Sequence, residues 1–150
     1  MGDRMTQERL FNYIKLKCEV DRHFEQVARM KSAECFAPAR EGDGSQHQPG
    51  NSDRMGRAVD RRLDYQKRME PLINANLAEM DAVEVAVNAL PDPLERDVLR
   101  VRYMEGSSYR HLKWREVAIE IFHNDEERHI KALQRVHDAA IEKIERMETE

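Results

Sequence analysis

Between Leu90 and Ile144 the apolar residues recur every three or four positions in three short stripes, with tight polar breaks between them. A strand would need a period of two, whereas this period suits helices, and helices this short must pack on one another to bury their stripes. A compact trihelical unit is therefore expected here. Its first helix should open near Pro93, because proline fits the first helical turn and Asp92 can cap the free N–H groups. Leu94, Val98, Val101, Tyr103 and Met104 follow at helical spacing, and Gly106 stands where a left-handed C-terminal cap belongs. Trp114, Val117, Ala118 and Ile121 make the second stripe, with Ser107 and Ser108 as loop or capping residues before it. The run His123-Asn124-Asp125 breaks that helix. Asp125 can then cap the third, with Glu126 and Glu127 near its positive end. Ile130, Leu133, Val136 or His137, Ala140, Ile141 and Ile144 form the third stripe. Trp114, Val117, Ile121, Leu133 and Val136 are the expected core, since one indole at position 114 can touch all three helices.

The opposite side of the third helix shows Arg128, Lys131, Gln134, Arg135 and Asp138. Three cations at 128, 131 and 135 share one face on adjacent turns. Arg and Gln can make bidentate contacts to guanine and adenine edges in a major groove, and Lys suits phosphates. Lys113, Arg115 and Arg110, just before or in the second helix, are candidates for holding phosphates. A solvated, merely charged helix face fits the same pattern equally well, and Glu126, Glu127 and Asp138 keep both readings open.

The motif string of this region resembles the DNA-binding region near the end of sigma factors. It is more similar still to the phage and prophage late-operon transcriptional regulators of the RinA and ArpU type. In that family an RY-x-E-G turn precedes a W-x-x-[VI]-A helix, and the closing helix reads R-[IV]-H-x-x-A-[LI]-x-K-[IL]. The matching residues here are Arg102-Tyr103-Met104-Glu105-Gly106, Trp114 to Ala118, and Arg135-Val136-His137 through Ala140-Ile141 to Lys143-Ile144. Gly50-Asn51-Ser52-Asp53-Arg54-Met55, followed by Ala58-Val59, is similar to the family's Gly/Ser-rich lead into a long central helix, so the resemblance spans about residues 45 to 146. The chain departs from the family pattern at SSYRHLK before Trp114 and at FHNDEERHIKA after Ile121, where short connections are usual. The second departure leaves the start of the recognition helix open. The resemblance implies a sequence-specific DNA-binding regulator that acts in the cytoplasm of a bacterial host. Its partners would be double-stranded DNA and, through a sigma-like contact that activates late genes, the host RNA polymerase.

Upstream, Leu10, Phe11, Ile14, Cys18, Phe24, Val27 and Met30 describe one long amphipathic helix from Thr6, a possible cap, to Phe36. Pro38, Gly42, Gly44, Pro49 and Gly50 mark a flexible linker over residues 37–52. Ser52 or Asp53 should cap a second long helix from Arg54 to Leu90, with Met55, Val59, Leu63, Ile73, Leu77, Met80, Val83 and Val87 in its stripe. Pro71 predicts a kink or break near Met69 and Glu70. Neither helix can bury its stripe alone, so an antiparallel, coiled-coil-like hairpin is expected. The fold class is thus all-α, with a hairpin and oligomerisation region over 1–90 and a helix-turn-helix unit over 91–150. Pairing of two hairpins favours a dimer, which would set two C-terminal units on a two-fold DNA site. Arg54, Arg57, Arg61, Arg62, Lys67 and Arg68 alternate with Asp60, Asp64 and Glu70, which reads as a salt-bridged, solvated face rather than a second nucleic-acid site.

Charged residues make up 36% of the 150, aromatics 6%, and the net charge is −4, so bulk electrostatics would not draw the chain to DNA or to an anionic membrane. Any DNA binding must come from local patches. Cys18 and Cys35 lie too far apart on one helix to bridge and read as reduced, buried thiols. No apolar run reaches the ~20 residues of a membrane span. His123 and His129 do not share a face as an HExxH pair would, and no phosphate-cradling glycine loop, CxxC pair or nucleophile elbow is present, so neither an enzyme nor a metal or other cofactor is expected. Two further functions compete with the regulator. One is an oligomeric DNA-packaging accessory resembling a small terminase subunit, and the other is a helical protein-interaction module without DNA binding, which the acidic balance encourages.

Overall fold

The computed structural model describes residues 5–35 and 50–147, with residues 50–53 described in backbone alone. All regular structure among them is helical: α1 Gln7–Cys35, α2 Gly50–Asn88, α3 Pro93–Leu99 continuing into a π-helical turn Arg100–Met104, α4 Trp114–Phe122 and α5 Glu127–Met147. The all-α reading therefore holds. Most of the linker expected over 37–52 lies outside the described residues, and from Gly50 onward the backbone is already helical. Ser52 and Asp53 thus lie inside α2 rather than at its start. At the start of α1, Thr6 does cap: its Oγ1 accepts from the Arg9 N–H at 3.3 Å.

The chain divides into two compact units at places other than residue 90. One comprises Met1–Cys18 with Asn76–Glu150, and the other Glu19–Ala75. The reason lies in the core of the first unit. There Met5, Leu10 and Tyr13 from the start of the chain and Val83, Val87 and Leu90 from around the end of α2 form one buried cluster with Leu99, Tyr103, Ala140 and Ile144. The terminal parts of α1 and α2 are thus part of the trihelical unit rather than of a separate hairpin. Arg9 bonds Glu79 at 2.5 Å and the Tyr13 hydroxyl donates to Glu84 at 2.5 Å, closing the polar edge of this packing. A second cluster, Val98, Val101, Val117, Ala118 and Leu133, lies among α3, its π-turn, α4 and α5.

In the second unit, α1 and α2 run antiparallel. His23 stacks on Tyr65 with ring centroids 5.5 Å apart, and eleven residues further along α1, Glu34 pairs with Arg62 at 2.6 Å. Arg62 is therefore a clamp within the hairpin and not part of the solvated basic face to which the sequence assigned it. Val20, His23, Val27 and Ile73 are buried here, whereas Phe24, Met55, Leu63 and Leu72 stay exposed. The stripe expected along α2 is only partly covered, because two helices bury a narrow seam and α2 presents apolar residues beyond it. Cys18 is buried and Cys35, contrary to expectation, is exposed as the last residue of α1; neither forms a disulfide among the described residues.

Pro71 does not break α2, which continues through it to Asn88. Proline forfeits one backbone bond and crowds the turn before it, but Pro71 and Lys67, whose carbonyl loses its partner, are both exposed, so water can satisfy that group. The cost is retained within the helix. Pro71→Ala should stabilise the protein by about 2 kcal/mol, the interior-proline penalty less the entropy that proline removes from the unfolded chain. Urea unfolding followed by circular dichroism checks this, and an unchanged midpoint would mean that the helix carries no penalty there.

Candidate nucleic-acid interface

The first helix of the trihelical unit starts as its sequence demands. Pro93 occupies the first turn and the Asp92 carboxylate accepts from the Leu94 N–H at 3.0 Å. Its end departs from expectation. Gly106 does not adopt the left-handed conformation; instead the helix widens, and the Glu105 N–H reaches back five residues to the Arg100 carbonyl at 3.0 Å. This π-turn sets the directions of two neighbouring side chains. Tyr103 is fully buried in the first cluster, while Arg102 lies with its guanidinium 4.0 Å from the centroid of the Trp114 ring.

Arg102 is only 8% exposed. Its Nη1 donates to the Leu112 carbonyl at 2.9 Å, and the Leu112 N–H donates to the Arg102 carbonyl at 2.9 Å. Lys17 Nζ holds the Met104 carbonyl at 3.1 Å. These bonds pin both ends of the 105–113 connection, the stretch in which the sequence departs from the regulator pattern. Trp114 itself is half-buried, packing against the second core cluster in a T-shaped contact with His137, ring centroids 4.9 Å apart. Val117 and Leu133 are fully buried, and Ile121 and Val136 are half-buried against the same cluster.

His137 is the polar centre of this packing. Its Nε2 lies 2.5 Å from the Tyr103 hydroxyl, to which Gln7 also donates at 3.3 Å, and its Nδ1 meets the exposed Asp138 carboxylate at 2.9 Å. Burial holds its pKa below the usual histidine range and nearby Arg102 pushes the same way, while the bond to Asp138 pulls it back up. His111 is lowered too, by burial and then by Arg102 and Arg110. Toward the C-terminal end of α5, Lys143 pairs with Glu95 of α3 at 2.6 Å. The sequence marked His137 as a packing residue, but nothing in it marked Arg102 as buried; an arginine flanked by apolar residues on a helix reads as snorkelling to solvent.

The connection from α4 to α5 is short. His123 takes the left-handed conformation at φ 62°, ψ 18°, and its N–H closes on the Ile119 carbonyl at 3.0 Å. Histidine thus occupies a position that glycine commonly fills. The Asn124 side-chain oxygen then accepts from the Glu126 N–H at 3.2 Å and contacts His129 Nδ1, and α5 begins at Glu127. Asp125 is not the cap, since α5 begins two residues later at Glu127; its carboxylate pairs with Arg115 at 2.7 Å. The four residues 123–126 therefore make the turn, and the run FHNDEERHIKA inserts no extra loop.

Arg128, Lys131 and Arg135 are exposed, on the side of α5 opposite buried Leu133, His137 and Ala140. Gln134 is half-buried rather than fully on that face, because it flanks the buried side. Arg110, Lys113 and Arg115 are exposed ahead of α4 and in its first turn. Arg115 bonds Asp125, Arg128 bonds Glu126 at 2.6 Å, and Lys131 lies 3.5 Å from Glu127. Among the described residues, Arg110, Lys113 and Arg135 have no carboxylate within ion-pair distance. Nor do three His, Cys, Asp or Glu side chains gather there to hold a metal ion, and no described helix is long and apolar enough to cross a membrane. Comparison with protein-family models, curated proteins and solved structures finds no match to the chain.

The folded pKa of His137 lies below that of an unfolded histidine near 6.5, so the unfolded chain binds more protons as the pH falls. The stability this group contributes is complete above about pH 6.5 and falls as the pH drops from there through the lowered folded value. We expect the melting temperature to fall between pH 7.5 and 5, and His137→Gln to remove most of that slope, with His111 supplying the remainder. Calorimetric melts of both proteins across that range check it; equal slopes would place the acid sensitivity elsewhere.

Proposed function

We propose that this chain is a sequence-specific DNA-binding transcriptional regulator that reads a major groove with the first half of α5. One observation carries the reading. Directly after a four-residue turn from α4, the first turns of α5 present Arg128, Lys131 and Arg135 outward on one face. That is the arrangement in which a helix-turn-helix brings the early residues of its recognition helix to base edges while the preceding helix lies across the backbone. Arginine at 128 and 135 suits guanine, Lys131 suits phosphate, and Arg110, Lys113 and Arg115 are placed to hold phosphates around the start of α4.

The net charge of −4 supplies no general attraction to DNA, so affinity rests on this local face and on two copies acting together. Exposed Phe24, Met55, Leu63 and Leu72 on the two long helices favour a homodimer. Two recognition helices would then meet half-sites about one helical turn apart, ~34 Å, or a multiple of it. The resemblance to late-operon regulators extends the proposal to phage late-gene activation through contact with a bacterial host's RNA polymerase. A protein-interaction module without DNA binding is the second reading, favoured by the carboxylates that face Arg115, Arg128 and Lys131.

A mobility-shift titration of the full chain on DNA from its own operon, repeated at several salt concentrations, separates the two. Arg135→Ala should weaken a specific complex by about 1–3 kcal/mol, whereas Lys131→Ala should weaken binding to all sequences and lower the salt slope by about one. Absence of any shift at low salt would overturn the regulator in favour of the interaction module.

A further inference from the structure

Between residues 110 and 138 the chain carries six Lys or Arg and six Asp or Glu side chains, so the proposed DNA-facing region has no net charge. The arrangement is more specific than the balance. Asp125 in the turn holds Arg115 of α4 at 2.7 Å, Glu126 holds Arg128 at 2.6 Å, and Glu127 lies 3.5 Å from Lys131 one turn further along α5. Three consecutive carboxylates thus meet three of the six cations that the proposed function assigns to DNA.

We propose that Asp125, Glu126 and Glu127 are specificity-determining residues that suppress binding to DNA at large by competing with it for Arg115, Arg128 and Lys131. This rests on the reading of α5 as a recognition helix. All six side chains are exposed, with those of Arg115, Arg128 and Lys131 at 74, 75 and 62%. Exposed pairs of this kind are weak and readily exchanged, so each cation can leave its carboxylate for a phosphate or a guanine edge. The carboxylate must then find its own place in the groove. Against a phosphate it is repelled; against the N4 amino group of cytosine it accepts a hydrogen bond. DNA of arbitrary sequence therefore gains the cations only together with three unfavourable anions. The same carboxylates also suit the positive N-terminal end of α5. That role alone would change stability while leaving DNA affinity alone, so the two are separable by binding measurements.

The test compares the full chain with the triple variant Asp125→Asn, Glu126→Gln, Glu127→Gln by fluorescence anisotropy, on random-sequence duplex and on operon duplex, across a salt series. The substitutions keep side-chain size at exposed positions, and far-UV circular dichroism verifies the fold. For the variant we expect binding to random duplex to tighten on the order of tenfold, a salt slope steeper by up to about three, one unit for each freed cation that meets a phosphate, and a similar loss in the ratio of operon to random affinity. If the wild type binds DNA and the variant binds random duplex equally or more weakly, this proposal fails while the DNA-binding reading stands. If neither protein binds either duplex at low salt, both fall together.

Discussion

Two adjacent side chains in one widened helical turn govern the first unit. Tyr103 enters the cluster that joins α1, α2, α3 and α5, and Arg102 faces the Trp114 ring, which packs on the other. In a regular α-helix neighbouring residues point about a hundred degrees apart; the π-turn alters that spacing and allows each to seat in its own cluster. An arginine buried this far would suffer a large desolvation cost, offset here by the aromatic face and by the Leu112 carbonyl instead of by an acid. Its Nε has no hydrogen-bond partner among the described residues.

From that turn the placement of α5 follows. Tyr103 bonds His137, Trp114 makes a T-shaped contact with the same imidazole, and Lys143 ties the far half of α5 to Glu95 of α3. With His137, Ala140 and Ile144 fixed inward, helical geometry puts Arg128, Lys131 and Arg135 outward. A basic face on a chain of net negative charge is thus a product of packing, and its partners in the turn set its electrostatics locally. Bulk charge says little about such a surface.

Much of this was legible in the sequence because it is local. The Asp92-Pro93 start, the three apolar stripes and the His123-Asn124-Asp125 break depend on residues within a few positions of one another. Four assignments depended on long-range partners and were not legible. Arg115 reaches ten residues on to pair with Asp125, and α5 starts only at Glu127, past the position from which Asp125 could cap it. Arg62 finds Glu34 across the hairpin. The ends of the long helices join the trihelical core through Leu10, Tyr13, Val83 and Val87, which moves the unit boundaries to residues 18 and 76. The π-turn replaced the glycine cap at Gly106, a choice made by the packing of Arg102 and Tyr103 and invisible to a pattern of apolar spacing.

The central claim is that DNA meets the first half of α5 and the region around the start of α4. Backbone amide shifts of the full chain, followed by NMR while operon duplex is added, test it most directly. The account requires the largest changes at residues 110–115 and 127–135, with the α2 segment 54–68 little affected. Changes centred on Arg54 to Arg68, or none at any duplex concentration, would contradict it.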